Sequence, residues 1–290
     1  MTDAARPAGM PPPSGRRRTL ALTAGTLVCF AANSLLCRAA LGPGLVDAAT
    51  FTSIRILSGA AALALILAAT QRARPSGGST GSALALFVYA AAFSLAYVRV
   101  GAGVGALLLF AAVQVTMVAW SVVRGARPGH LQWLGIAIAL AGLAYLALPG
   151  ARAPDPVGSA LMIAAGVAWG AYSLRGRSAR DPLATNADNF LRSIPFTIAL
   201  SLALARSFSV GREGALLAAA SGALASGGGY SLWYAVVPAL GATRAAAVQL
   251  AVPVLAGLGA TAFLGEHLTP RVAVSGAAIL AGIALALLKR

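Results

Sequence analysis

Apolar runs of about 20 residues follow one another along almost the whole chain, and the gaps between them are too short to fold on their own. This succession constrains the fold more than any motif does. A bilayer core about 30 Å thick is crossed by roughly 20 helical residues, each rising about 1.5 Å. Runs bounded by Gly, Pro and Arg predict helices over 19–41, 48–69, 81–98, 101–123 and 130–148, and again over 157–174, 185–205, 215–236, 242–264 and 271–288. Ten crossings use about 200 residues, which leaves no room for a soluble catalytic or DNA-binding domain. At 59% apolar and 10% charged, with a mean hydropathy of +0.81, the chain lies far from the average soluble domain, where about a quarter of residues are charged. The expected class is all-α: a polytopic membrane protein of ten transmembrane helices, with the lipid bilayer as its first partner.

A formal charge of +15 suggests nucleic acid only when the basic side chains gather on one folded surface. Here they sit in the gaps between apolar runs, so no nucleic-acid partner is expected and the charge is read as topology. Residues 1–18, rich in Pro, Gly and Ala and ending in Arg16-Arg17-Arg18, read as a disordered basic tail. That end is faintly similar to a twin-arginine export signal, but the apolar run continues too long and no clear small-residue cleavage site follows. Ten crossings put both termini on one side. With the N-terminus inside, the cytoplasmic segments hold Arg6, Arg16, Arg17, Arg18, Arg72, Arg74, Arg124, Arg127, Arg175, Arg177, Arg180, Lys289 and Arg290. The outer ones hold Arg38, Arg99, Arg152, Arg206, Arg212 and Arg271, a bias of about two to one toward cytoplasmic termini in the inner membrane. Cys29 and Cys37 lie about 12 Å apart along one helix, too far to bridge.

The two halves echo each other at offsets of about 137 to 140 residues. Phe30 to Arg38 lies over Trp169 to Arg177, Arg55 over Arg192, Phe93 to Tyr97 over Tyr230 to Tyr234, Gly101 over Gly241 and Gly125 over Gly265. Five matches in one order indicate duplication, with repeats over 19–148 and 157–290. A unit of five helices is odd-numbered, so its second copy enters the membrane from the opposite side, giving two inverted five-helix repeats. Two copies of opposite orientation can exchange conformations, and opening to one face becomes opening to the other.

Gly241 through Ala286 resembles the C-terminal repeat of the EamA-type transporters of the drug/metabolite transporter superfamily. The residues that carry the resemblance are the Gly241-Ala242-Thr243 turn, Pro253 in mid-helix, Gly265-Glu266 with Leu268-Thr269, and Gly276 and Gly282 in the last helix. The first half departs from the pattern, with Val113 at the counterpart of Pro253 and Ala126 at that of Glu266. The resemblance implies a ten-helix carrier with a cavity formed mainly by helices 1, 3, 4, 6, 8 and 9, usually exporting small metabolites or amino acids.

Ionisable side chains in hydrocarbon cost at least about 2.5 to 3.5 kcal/mol at a helix centre, and those retained usually face the bundle or a wet cavity. Arg55 and Arg192 are repeat-equivalent and read in two ways: as matched gates that meet an anionic substrate group, or as side chains snorkelling to the nearest interface. Asp188 lies four residues before Arg192, in reach of an ion pair. No Asp or Glu falls in the middle of a predicted helix, so the carboxylate relay of a proton-coupled pump is missing. Glu266 is expected to cap a helix or pair with Arg271, and His130 and His267 to lie at interfaces. With no His or Cys cluster and no paired carboxylates in the helices, no metal, cofactor or intramembrane enzyme chemistry is expected.

The aromatic residues are the stronger candidates for a substrate cavity. Phe93, Tyr97, Tyr230 and Tyr234 repeat across helices 3 and 8, with Trp233 beside them, while Phe30, Trp169 and Tyr172 lie on helices 1 and 6. Their rings can hold apolar or cationic groups and their polar tips can orient a ligand, or they can serve packing and interfacial belts, as read for Trp120 and Trp133. Asn33, Gln114, Ser173 and Gln249 each need a partner inside an apolar helix and either bind substrate or join helices. Pro253 removes a helix hydrogen bond and is the hinge candidate. The function these residues favour is a secondary carrier exporting a small metabolite or amino acid. The other readings are a lipid or lipid-linked-sugar flippase and a non-transporting membrane assembly protein.

Overall fold

The computed structural model describes residues 13–70, 74–125, 129–147, 153–176, 179–233, 235–236, 240 and 248–287. Its helices are α1 (Pro13–Leu41), α2 (Ala48–Ala69), α3 (Thr80–Tyr97), α4 (Ala102–Val123), α5 (His130–Ala147), α6 (Pro156–Gly176) and α7 (Pro182–Ala203). The eighth, α8, starts as Arg212–Ala220, widens into a π-helical stretch over Ser221–Gly228 and resumes over 229–233. Two more follow, α9 (Ala251–Leu264) and α10 (Pro270–Leu287). Among the described residues no strand forms, and an isolated antiparallel bridge joins Val46 to Val210. Among the described residues, five helices are long and apolar enough to cross a membrane: α1 from Arg17, α2, α3, α4 and α6.

Acidic and hydroxyl side chains set the helix starts. Asp47 accepts from the N–H groups of Ala49 and Thr50 at 3.0 and 2.9 Å to cap α2. Ser79 accepts from Ser82 N–H to cap α3. Asp155 accepts from Gly158 N–H at 2.6 Å at the start of α6, and Asp181 caps α7 ahead of Pro182. Each satisfies N–H groups that the first turn leaves open and suits the positive end of the helix dipole. Gly265 ends α9 with a left-handed φ of 65°, and Gly125 follows α4 with a φ of 91°, a geometry that side chains disfavour.

Several boundaries differ from the sequence expectation. Helix α1 begins at Pro13, so Arg16 to Arg18 lie in its first turns and not in a disordered tail. Pro253 is buried in the first turn of α9, which follows helical residues 248–249 and a turn at Leu250. A missing N–H costs little in a first turn. Gly241 to Thr243 and Tyr234 lie outside the described residues.

The most extensive helix contacts follow one rule. The contacts of α3 with α6, α4 with α6 and α3 with α7 are matched by α8 with α1, α9 with α1 and α8 with α2. Helices α2 and α7, α4 and α9, and α5 and α10 pack on each other. Exchanging each helix with the one five places on returns the same set. The α5–α10 contact is backbone against backbone: a Cβ built on Gly135 would stand 2.5 Å from the Gly282 carbonyl oxygen, so only small residues allow this approach.

The α1–α2 and α7–α8 connections are clasped together. Asp47 N–H donates to the Ser209 carbonyl at 2.8 Å, Ser209 N–H donates to the Asp47 carboxylate at 3.1 Å, and Gly211 N–H donates to the Leu45 carbonyl at 2.8 Å. Burial pushes the Asp47 pKa up, but the hydrogen bonds from Thr50, Ser209 and Ala49 outweigh it and leave the carboxyl below its ordinary range. A carboxyl lowered in the folded state adds stability that is full above its unfolded pKa and is lost as pH falls through the folded value. Asp47→Asn keeps a capping oxygen but loses the second carboxylate oxygen that accepts from Ser209 N–H, so it should melt below the wild type near pH 7, by about 1 kcal/mol. The two curves should converge as pH falls below the ordinary carboxylate range, and a gap that stays constant as the pH falls would contradict this role.

Candidate functional site

Where α1, α3, α4, α6 and α8 meet, the bundle encloses a cavity of about 20 Å3, room for about one water. Its walls include Phe30, Asn33 and Ser34 from α1, Tyr89 and Phe93 from α3, Trp169 from α6 and Tyr230 from α8, with Leu109 and Phe110 of α4. The rings interlock edge to face or tilted: Phe30 stands 6.2 Å from Trp169 and 6.0 Å from Tyr230, and Trp169 stands 4.9 Å from Tyr89 and 4.8 Å from Tyr230. Such contacts favour a fixed arrangement over a fluid one.

A polar network backs this aromatic wall. Arg55, at 1% exposure, donates from Nη2 to the Tyr89 hydroxyl at 2.9 Å and from Nε to Ser226 Oγ at 3.2 Å. Its guanidinium lies 5.0 Å from the Tyr89 ring centre and 5.1 Å from that of Phe93. Asn33 Nδ2 donates to the same Tyr89 hydroxyl at 3.2 Å, and Ser221 Oγ donates to Asn33 Oδ1 at 2.7 Å. Ser221 and Ser226 are five residues apart, the repeat of i→i+5 hydrogen bonding, so the π stretch brings both toward the network. Gly222 lets α8 approach: a Cβ there would overlap Ser58 Oγ and the Arg55 carbonyl.

The sequence candidates divide clearly. Asn33, Phe93, Trp169 and Tyr230 line the cavity. Gln114 lines a different, apolar cavity of about 320 Å3 among α4, α5 and α10, with Trp133 and Ile283. Gln249 is buried in the helical turn just before α9, outside the central wall. The repeat-equivalent arginines are not equivalent in environment. Arg55 is buried in the network and does not snorkel, whereas Arg192 is half exposed and donates to Asp188 at 2.9 Å. Asp188 also accepts from Gly78 N–H at 2.9 Å, tying α7 to the α2–α3 connection. Tyr89, Ser221 and Ser226 escaped the sequence reading. Tyr89 stands one helical turn before Phe93 and two before Tyr97, and that four-residue aromatic spacing on α3 was the signal available.

Tyr97 and Tyr172 close the two ends of the aromatic cluster. Tyr172 packs on Trp169 at 5.7 Å, donates its hydroxyl proton to Asn186 Oδ1 and accepts from Asn189 Nδ2 at 3.5 Å. Asn189 also lines a polar cavity of about 590 Å3 with Ser79, Arg175, Arg180 and Asp181. At the other end Tyr97 packs on Phe93 at 4.6 Å, donates to the Ala102 carbonyl at 3.4 Å, and its own carbonyl accepts from Arg38 Nη1 at 2.8 Å. Arg38 pairs with Glu266 at 3.2 Å, and the Glu266 carboxylate accepts from Ala102 N–H at 3.0 and 2.9 Å. Glu266 thus caps a helix as expected, but its cation is Arg38. Arg271 instead donates to the Tyr145 carbonyl and lies over that ring.

A helical bundle with apolar spans around a small polar and aromatic cavity has the make-up of a multi-pass membrane protein. The chain belongs to the EamA-like transporter family, whose sequence pattern matches residues 156–288, within the drug/metabolite transporter superfamily. It is similar to the uncharacterized protein PA1977 of Pseudomonas aeruginosa, at 51% identity over 275 residues, covering 94% of this chain and 96% of that one. A protein of known crystal structure shares the fold, with a TM-score of 0.68 and 19% identity over 92% of this chain and 98% of the other.

Proposed function

We propose that the protein is a secondary carrier that exports a small amphiphilic metabolite or amino acid across the inner membrane by alternating access. In this reading all ten helices cross the bilayer with both termini in the cytoplasm, and 19–148 and 157–290 form inverted repeats that rock about the central cavity. One observation carries it. Residues matched by the sequence repeat meet in the same cavity, Phe30 against Trp169 and Phe93 across from Tyr230. The exchange symmetry of the helix contacts supports the same axis. The left-handed glycines Gly125 and Gly265, matched in the repeat, support it too. The Arg38–Glu266 pair is then the outer closure, and Tyr172 with Asn186 and Asn189 the inner one, next to a polar vestibule. Each acidic residue described lies at a helix terminus or, for Asp188, within the first two turns of α7, which supports transport without a carboxylate proton relay.

The test is efflux from proteoliposomes loaded with mixed amino acids and small metabolites, read by mass spectrometry with and without a pH gradient. Protein-dependent loss of one compound class, indifferent to the gradient, is expected. No protein-dependent loss of any compound would contradict the carrier reading.

A further inference from the structure

Arg55 is a buried cation without a protein counter-ion. It lies in the first half of α2, and no carboxylate among the described residues pairs with it. Asp47, Asp155, Asp181 and Glu266 are engaged at helix ends, and Asp188 by Arg192 and Gly78 N–H. Two of its three nitrogens are used, on Tyr89 and Ser226, and Nη1 has no partner among the described residues. The hydroxyl of Tyr230, buried and lining the cavity, lies near Tyr89 and Ser226 but makes no hydrogen bond of normal geometry among the described residues. A lone charge and an unpaired hydroxyl inside a membrane bundle are costly features that a fold keeps for a partner.

We propose that Arg55 and Tyr230 form the anion subsite of the central cavity, and that the substrate is a monocarboxylate with an apolar or aromatic body. This rests on the carrier reading and narrows its substrate. One guanidinium balances one negative charge, so the loaded site is electrically neutral at the middle of the bundle. The Nη1 protons and the Tyr230 hydroxyl supply charge-assisted hydrogen bonds to the carboxylate. Phe30, Phe93 and Trp169 offer the remainder of the ligand ring faces and edges only. A ligand ammonium finds no carboxylate there, and the ring faces of Tyr89 and Phe93 are already occupied by Arg55 itself. The occluded cavity is too small for such a ligand, so loading requires that the halves part.

The experiment measures binding of 3-phenylpropionate, its neutral amide and 3-phenylpropylamine to the full chain in lipid nanodiscs. The acid is expected to bind about tenfold or more tightly than the amide and more tightly than the amine. Arg55→Gln should bring acid and amide level, and Arg55→Lys should keep the acid first with weaker binding. Tyr230→Phe removes a hydroxyl that lies near Tyr89 and Ser226 but makes no hydrogen bond of normal geometry among the described residues, so it should melt close to the wild type and still weaken acid binding. Should Arg55→Gln fail to fold, Arg55→Lys and Tyr230→Phe decide the matter. Equal or tighter binding of the amide or amine, or an acid preference that survives Arg55→Gln, overturns the proposal. Efflux restricted to uncharged or cationic compounds would leave the carrier standing and remove this subsite. Acid binding with no flux of any compound would do the reverse.

Discussion

Replacing Gly222 with Val is expected to abolish the folded protein, with monodisperse yield in detergent falling about tenfold or more. The π stretch of α8 lies directly on α2, and a Cβ at Gly222 overlaps the Arg55 carbonyl and Ser58 Oγ. The contact is reciprocal, since a Cβ at Gly59 would stand 3.2 Å from the Gly222 carbonyl oxygen. Overpacking a core typically costs about 1 to 3 kcal/mol, and more where the obstacle is backbone that cannot rotate away. Separation of α2 from α8 also pulls Ser221 from Asn33 and Ser226 from Arg55, leaving a buried guanidinium with fewer partners. Gly228→Ala is the control. Its added methyl would meet only the Ala223 carbonyl oxygen at 3.7 Å, an ordinary contact, and its yield should match the wild type. A Gly222→Val protein that purifies and melts like the wild type would show that α8 does not approach α2 in this way.

Glu266→Gln is expected to leave the fold intact and release the Arg38 closure. The amide oxygen of Gln can still accept from Ala102 N–H, so α4 keeps its cap, while the charge that holds Arg38 is removed. Both side chains of this pair are about three-quarters buried, so screening by solvent is partial. A hydrogen bond to a charged group contributes about 1.5 to 3 kcal/mol. A shift of about 1.4 kcal/mol changes a population tenfold. A conformer open at the Arg38 end should therefore rise about tenfold or more. Melting curves near the wild type with unchanged accessibility at that end would assign Glu266 to capping alone.

Local pattern carries information about elements and not about distant partners, and the chain illustrates both. Apolar run length located α2 at 48–69 as observed, because each run must satisfy its own backbone hydrogen bonds in the bilayer. The repeat and the Gly265-Glu266 region were enough to recognise the family, whose pattern matches that same half. The aromatic echo of Phe93 and Tyr230 brought out two residues of the cavity wall. What stayed hidden depends on contacts across the bundle. Arg38 is 228 residues from Glu266, and no spacing rule links them, so the nearer Arg271 was the partner expected. Arg55 and Arg192 look alike in sequence, yet only Arg55 meets a tyrosine and a serine that hold a guanidinium away from the interface. Gln114 is as polar as Asn33, but its turn of α4 faces α5 and α10. The π stretch is invisible to helical periodicity, although its run of small residues, Ser221 to Gly228, is what lets it form.

The central claim is one cavity opened in turn to two faces, and side-resolved labelling at its wall tests it most directly. Ser34 lines the cavity and is nearly the size of cysteine, so Ser34→Cys can be read after Cys29→Ala and Cys37→Ser remove the native thiols. Reaction with an impermeant thiol reagent is measured from each face of oriented proteoliposomes, with Glu266 and with Glu266→Gln. The account predicts that reactivity from the Arg38 face rises while reactivity from the opposite face falls. A rise from both faces together, or no change from either, would contradict it.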